Sequence, residues 1–224
     1  MVEPYPLSEF LIYLSERASE GDHPCSLPSL SGLSEQMDIS VTRLREQLEV
    51  AKALGLVEVR PRVGIRSLPY KFAPSVRQSL FFAIKLDHKY FEDFLDLRRH
   101  LEYAYLPQAV EALTRKDQEV LQELIQRAWE KLEGRPVRIP HEEHRKFHLT
   151  IFQRLENVFV TGLLEAYWDA YEAVGLDVYA DMKYLEKVWK YHEGLVEAIV
   201  RDEFEDALPL LKDHFDLLMD RLVC

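Results

Sequence analysis

The sequence predicts a mainly α protein in two blocks: three helices and a hairpin, then an antiparallel all-helical bundle. Three observations carry this. Apolar residues recur at helical spacing along most of the 224 residues. Strand patterning is confined to one short region near residue 60, and a proline-marked stretch, Pro69 to Pro74, separates the blocks. The expected domains are 1–70 and 71–224.

In the first block, Leu7, Phe10, Leu11 and Leu14 form one apolar stripe, closed by the stretch from Glu20 to Pro24. Leu30, Leu33 and Met37 form a second behind Ser29, a residue type that caps helix N-termini. Ser40 opens a third helix, with Val41, Leu44, Leu48 and Ala51 inward and Gly55 as its stop. Residues 56–60 and 64–68 read as two strands around Pro61. In the second block the periodic segments are 86–113, 117–132, 141–155, 158–174, 185–202 and 203–222, with breaks at 133–136 and near Gly175. Pro209 should kink the last helix or mark its first turn.

With 47% hydrophobic and 30% charged residues the composition is globular, and Cys25 and Cys224 form neither a redox pair nor a zinc motif. The start of the chain has no signal-peptide pattern and no window approaches a membrane span, so a cytoplasmic protein without a membrane partner is expected. A net charge of -11 argues against a protein that coats nucleic acid. The charge is unevenly spread, however. Residues 40–67 carry six basic side chains against three acidic ones, a local net of +3.

That island coincides with a helix-turn-helix pattern, in which the second helix presents its N-terminal residues to base edges. Ser40, Thr42, Arg43 and Arg45 are the candidate contacts on that helix. Arg60 and Arg62, beside the hairpin turn, suit phosphate or minor-groove contact. The run from Leu27-Pro28-Ser29 through Leu33-Ser34-Glu35 to Ser40-Val41-Thr42-Arg43-Leu44-Arg45-Glu46, then Leu54-Gly55-Leu56-Val57, resembles the GntR-family winged helix. Ser31 and Val41 stand where that family usually has arginines, so its operator sequence does not transfer.

In the second block His144, His148, His192 and His214 all fall on apolar stripes of three helices that must converge. Imidazole is the commonest ligand for zinc, nickel, copper and iron, and bundle cores are where such sites are built. Arg98 shares the inward placement, between Leu95 and Glu102. Its anionic partner is either Glu102, one turn on, or a small carboxylate ligand beside the metal.

This block resembles the FCD ligand-binding domain found behind GntR winged helices. The resemblance rests on Arg98-x-x-Leu101-Glu102, on Phe147-His148 followed by Asn157, and on His192-x-x-Leu195-x-x-Ala198-Ile199-x-x-Asp202 with Ala207 and His214. It implies a divalent metal held by an Asp and three His beside a pocket for a small organic acid. Here His144 stands at the Asp position, which favours Zn²⁺ first and Ni²⁺ second over Mg²⁺ or Mn²⁺. The expected function is a homodimeric transcriptional regulator that binds double-stranded operator DNA and senses a small carboxylate at the metal. A regulator whose effector is the metal itself is the alternative. A metal-dependent hydrolase is disfavoured, because no acidic residue accompanies the histidines in a motif that would supply a general base.

Overall fold

The computed structural model describes residues 7–19, 24–174, 181–201 and 203–222. The expected helix end at Glu20 to His23, the Gly175 break, Asp202 and Cys224 lie outside the described residues, as does the side chain of Leu218. Chain contacts define two compact units, 1–78 and 79–224.

In the first unit, α1 (Glu9–Ser19), α2 (Leu30–Met37) and α3 (Val41–Ala53) precede the hairpin of β1 (Val57–Arg60) and β2 (Gly64–Ser67). Ser29 and Ser40 cap α2 and α3 as expected, accepting from the backbone N–H groups of Gly32 and Arg43. The turn between them holds Asp38 in the left-handed region (φ 52°), and the Ile39 N–H closes onto the Ser34 carbonyl at 3.2 Å. The hairpin pairs Val57 with Ser67 through Arg60 with Gly64. A third short segment joins it: Leu27 N–H donates to Ile65 O and Ser67 N–H to Cys25 O.

Phe10, Leu14, Leu33, Leu44, Leu48, Val57 and Ile65 close the core. Leu7, expected in the first stripe, precedes α1 and is 47% exposed. A buried polar residue went unforeseen. Gln47, on the inner face of α3, accepts from Phe10 N–H at 2.8 Å and donates to Glu9 Oε2 at 2.6 Å, which satisfies an otherwise unpaired donor in the first turn of α1. Gly55 sits at φ 71°, and a Cβ there would lie 2.5 Å from the ring of Pro74, so only glycine fits.

The proline-marked stretch is shorter than the sequence suggests. Residues 73–86 form a helix, α4 (Ala73–Leu86), that the sequence reading did not assign, and the expected boundary after residue 70 falls short of the observed division. Pro74 lies in the first turn of α4, where its missing N–H costs nothing. The segment expected from Leu86 onward begins as α5 (Lys89–Glu111), which continues through Pro107.

The remaining helices are α6 (Arg115–Glu133), α7 (His141–Phe152), α8 (Val158–Val174), α9 (Met182–Val200) and α10 (Phe204–Leu222), the last with Pro209 inside it. Thr114 and Asp117 form a reciprocal capping box on α6. Asn157 caps α8 by accepting from Phe159 and Val160 N–H. Helix α5 packs on α7, α8 and α10, and α9 on α6 and α10. Inward side chains of α5, α7, α9 and α10 therefore meet in one place. Among the described residues no helix is long and apolar enough to cross a membrane.

Candidate functional site

Helix α7 carries His144 and His148 one turn apart, flanking the fully buried Phe147. His192 projects from α9 and His214 from α10. His148, His192 and His214 are 1–2% exposed, and His144 is half-buried. One ligand nitrogen from each lies within 4.8 Å of the others. The four imidazoles that the sequence places on three helices are thus brought together.

The donor set suits a metal. His148 Nε2 and His192 Nε2 are 3.2 Å apart. Metal–nitrogen bonds of about 2.0–2.1 Å in a tetrahedron separate their donors by about 3.3 Å. Burial holds all four imidazoles well below the ordinary histidine pKa, and the Arg98 charge and neighbouring rings add to the effect. Neutral rings keep their lone pairs. His144 Nε2, His192 Nδ1 and both nitrogens of His214 are buried with no hydrogen-bond partner among the described residues. An unsatisfied buried polar group costs roughly 1–3 kcal/mol, so leaving several in one cluster is costly, and a cation would take the one lone pair that each neutral ring offers. Aromatic rings enclose the cluster: Trp168 lies edge-on to His144 at 4.8 Å, Trp189 to His192 at 4.9 Å, and Phe147 lies 4.4 Å from His192.

Arg98 lies beside this cluster at 2% exposure. Its Nε donates to Glu102 Oε1 at 2.6 Å, so the helix neighbour is a partner of the guanidinium. The guanidinium carbon stands 4.2 Å from the Tyr167 ring centroid, 4.7 Å from Trp168 and 5.1 Å from Phe215. Nη2 has no hydrogen-bond partner among the described residues. Burial pushes the Glu102 carboxyl up from the ordinary carboxylate range against the pull of Arg98, and it raises the Tyr167 phenol to about 12.

The sequence places no acidic residue in a motif with the histidines that would supply a general base, but the fold brings one beside them as a partner of Arg98. Glu102 is fully buried, and its Oε2 lies 3.0 Å from His148 Nδ1. It shares the buried stripe of α5 with Arg98, and that signal was present in the sequence. Tyr167 and Trp168 were missed; their only mark is a paired position on the apolar stripe of α8.

On the first unit, Thr42, Arg43 and Arg45 are exposed, and Ser40 uses its hydroxyl to cap α3. Arg43 is ion-paired with Glu9 of α1, and Arg60 with Glu58 at 2.8 Å. Arg45 and Arg62 are exposed and make no ion pair among the described residues, with Arg62 at φ 65° on the hairpin turn. The other described histidines lie elsewhere: His88 at the N-cap of α5, His100 on Asp96, and His141 at the start of α7.

A three-helix unit with a β hairpin, followed by an all-helical bundle with a buried histidine cluster, defines the class: a winged helix-turn-helix protein with a helical C-terminal domain. The family model described as FCD domain matches residues 93–217, more than half of the sequence, and the chain belongs to that family. The fold is that of the GntR-type regulators. Streptococcus agalactiae GntR aligns with a TM-score of 0.68 at 17% identity, covering 92% of this chain and 97% of that one. McbR/YncC of E. coli aligns with a TM-score of 0.50 at 20% identity, covering 97% and 98%. No curated protein sequence matches the chain significantly.

Proposed function

We propose that this FCD-family chain is a homodimeric, cytoplasmic transcriptional regulator. In this reading the winged helix binds operator DNA and the bundle holds a divalent metal on His144, His148, His192 and His214. The convergence of four imidazoles, three of them buried and His144 half-buried, in a bundle that follows a winged helix in the sequence is the observation that carries it. Of the four candidate arginines, Arg45 and Arg62 make no ion pair among the described residues and are ready for phosphate or base contact, and Arg43 and Arg60 join them by leaving the carboxylates of Glu9 and Glu58. Four neutral nitrogen ligands favour Zn²⁺, then Ni²⁺. Bound there, the ion would act as a Lewis acid and an anchor for anions. Arg98 and Glu102 neutralise each other, so the ion's +2 charge would have no protein counter-charge. A small carboxylate reaching the metal and Arg98 Nη2 would supply it.

A second reading has the metal itself as the effector, and the closed, four-ligand character of the cluster favours it, since sites saturated by protein ligands leave no open position. The test of the metal centre is zinc titration of chelator-stripped protein by calorimetry, followed by operator retardation. Binding is expected in the wild type and loss of it in His148→Ala. Retardation that depends on zinc without added metabolite selects the second reading, and retardation that also needs an organic acid selects the first. Zinc binding that His148→Ala leaves intact would refute the site.

A further inference from the structure

The Arg98–Glu102–His148 chain does more than neutralise a buried charge. Each carboxylate oxygen of Glu102 is used once: Oε1 accepts from Arg98 Nε at 2.6 Å, and Oε2 faces His148 Nδ1 at 3.0 Å. An arginine has donors only, so its side of the contact is fixed. The guanidinium cannot turn away, because Tyr167, Trp168 and Phe215 crowd it. The 2.6 Å contact with the Arg98 guanidinium favours the ionised form of Glu102 against the effect of burial, and an ionised carboxylate has acceptors only. The proton in the second contact must then come from His148 Nδ1, which leaves Nε2 bare. Nε2 is the atom that faces His192 Nε2 inside the cluster, 3.2 Å away.

We propose that Glu102 is the positioning residue of the metal centre: it fixes the Nδ1–H tautomer and the ring orientation of His148, aims the Nε2 lone pair at the ion, and is itself held by Arg98. The inference rests on the metal reading above. A carboxylate that orients a ligand histidine through its second nitrogen is a general device, and its removal typically costs about 10–100-fold in metal affinity. Arg98 belongs to the relay through Nε while Nη2 stays available, so an anion at Arg98 and a metal at His148 would share one rigid chain of contacts.

The informative variant is Glu102→Gln. Arg98 Nε still demands an acceptor, so the amide oxygen turns toward it and the amide NH₂ faces His148 Nδ1. That nitrogen must then accept, and the proton moves to Nε2, the atom the metal needs. The experiment is ¹⁵N NMR of the imidazoles in chelator-stripped protein, with zinc affinity measured by competition with a chromophoric chelator. Wild type is expected to show His148 protonated at Nδ1. Glu102→Gln is expected to show it protonated at Nε2, with zinc affinity about 10–100-fold weaker. A wild-type His148 protonated at Nε2 overturns the proposal without any variant having to fold. So does a Glu102→Gln protein that keeps the wild-type tautomer or the wild-type affinity. A wild type with the expected tautomer that binds no zinc supports the hydrogen-bond relay and overturns the metal reading instead, so the two failures are distinguishable.

Discussion

Two of the Arg–Glu pairs among the described residues have similar chemistry and opposite consequence. Arg43 and Glu9 meet in the winged-helix unit with side chains 59% and 42% exposed. Arg98 and Glu102 meet in the bundle with side chains 1% and 0% exposed. Water screens the first pair, which contributes little to stability and can be exchanged for another anion at little cost. The second was desolvated on folding, at several kcal/mol per ion, and is held by its geometry and by the hydrogen bond to His148. Exposure makes the one pair replaceable and burial makes the other structural. In the proposed function, a surface that must trade partners belongs on the DNA-binding unit, and a fixed relay belongs behind the proposed metal ligands.

The comparison predicts a ranking. Arg98→Ala leaves Glu102 buried without its counter-ion and should cost about 3–5 kcal/mol of unfolding free energy in urea; a loss under 1 kcal/mol would erase the distinction. The same variant cannot serve as a clean probe of ligand response, because the relay falls with it.

Between the extremes stands Asp117, with its side chain 6% exposed, paired to the half-exposed Arg154 at 3.0 Å. The Arg154 hydrogen bond, with help from Thr114, lowers its carboxyl pKa from 3.8 to about 2. A pKa depressed on folding contributes stability that is present above the ordinary value and disappears as the pH falls through the depressed one. Acid titration of stability should therefore show a loss from about pH 4 down to about pH 2 that is absent in Asp117→Asn. An identical acid limb in the two proteins would remove Asp117 from the middle rank.

The smallest effect belongs to the exposed pair. Glu9→Ala should leave the urea midpoint of unfolding nearly unchanged, provided the Gln47 contact to Phe10 persists. It should also strengthen operator retardation, because Arg43 is released; weaker retardation would mean that Glu9 holds Arg43 in its reading position.

These pairs also mark what could be read from the sequence. Ser29, Ser40, Leu33, Leu44 and Leu48 define the helix-turn-helix because caps and stripes are local, and the histidines stood out because each broke an apolar period. Arg98 and Glu102 are one turn apart and were visible as a possible pair. The contact of Glu102 with His148 spans 46 positions and that of Glu9 with Arg43 spans 34, and no local pattern encodes either. Helix α4 is hidden for another reason: Pro69 and Pro74 together read as a linker, although a proline in a first turn is compatible with a helix. The outward reach of Thr42, Arg43 and Arg45 followed from α3's period, and their free or paired state did not.

Zinc titration of the chelator-stripped chain tests the central claim most directly. The account predicts one high-affinity ion per chain, with thermal unfolding moving upward as free zinc exceeds the dissociation constant, and both effects lost in His148→Ala. Saturating zinc that leaves the unfolding curve of the wild type unmoved would contradict it.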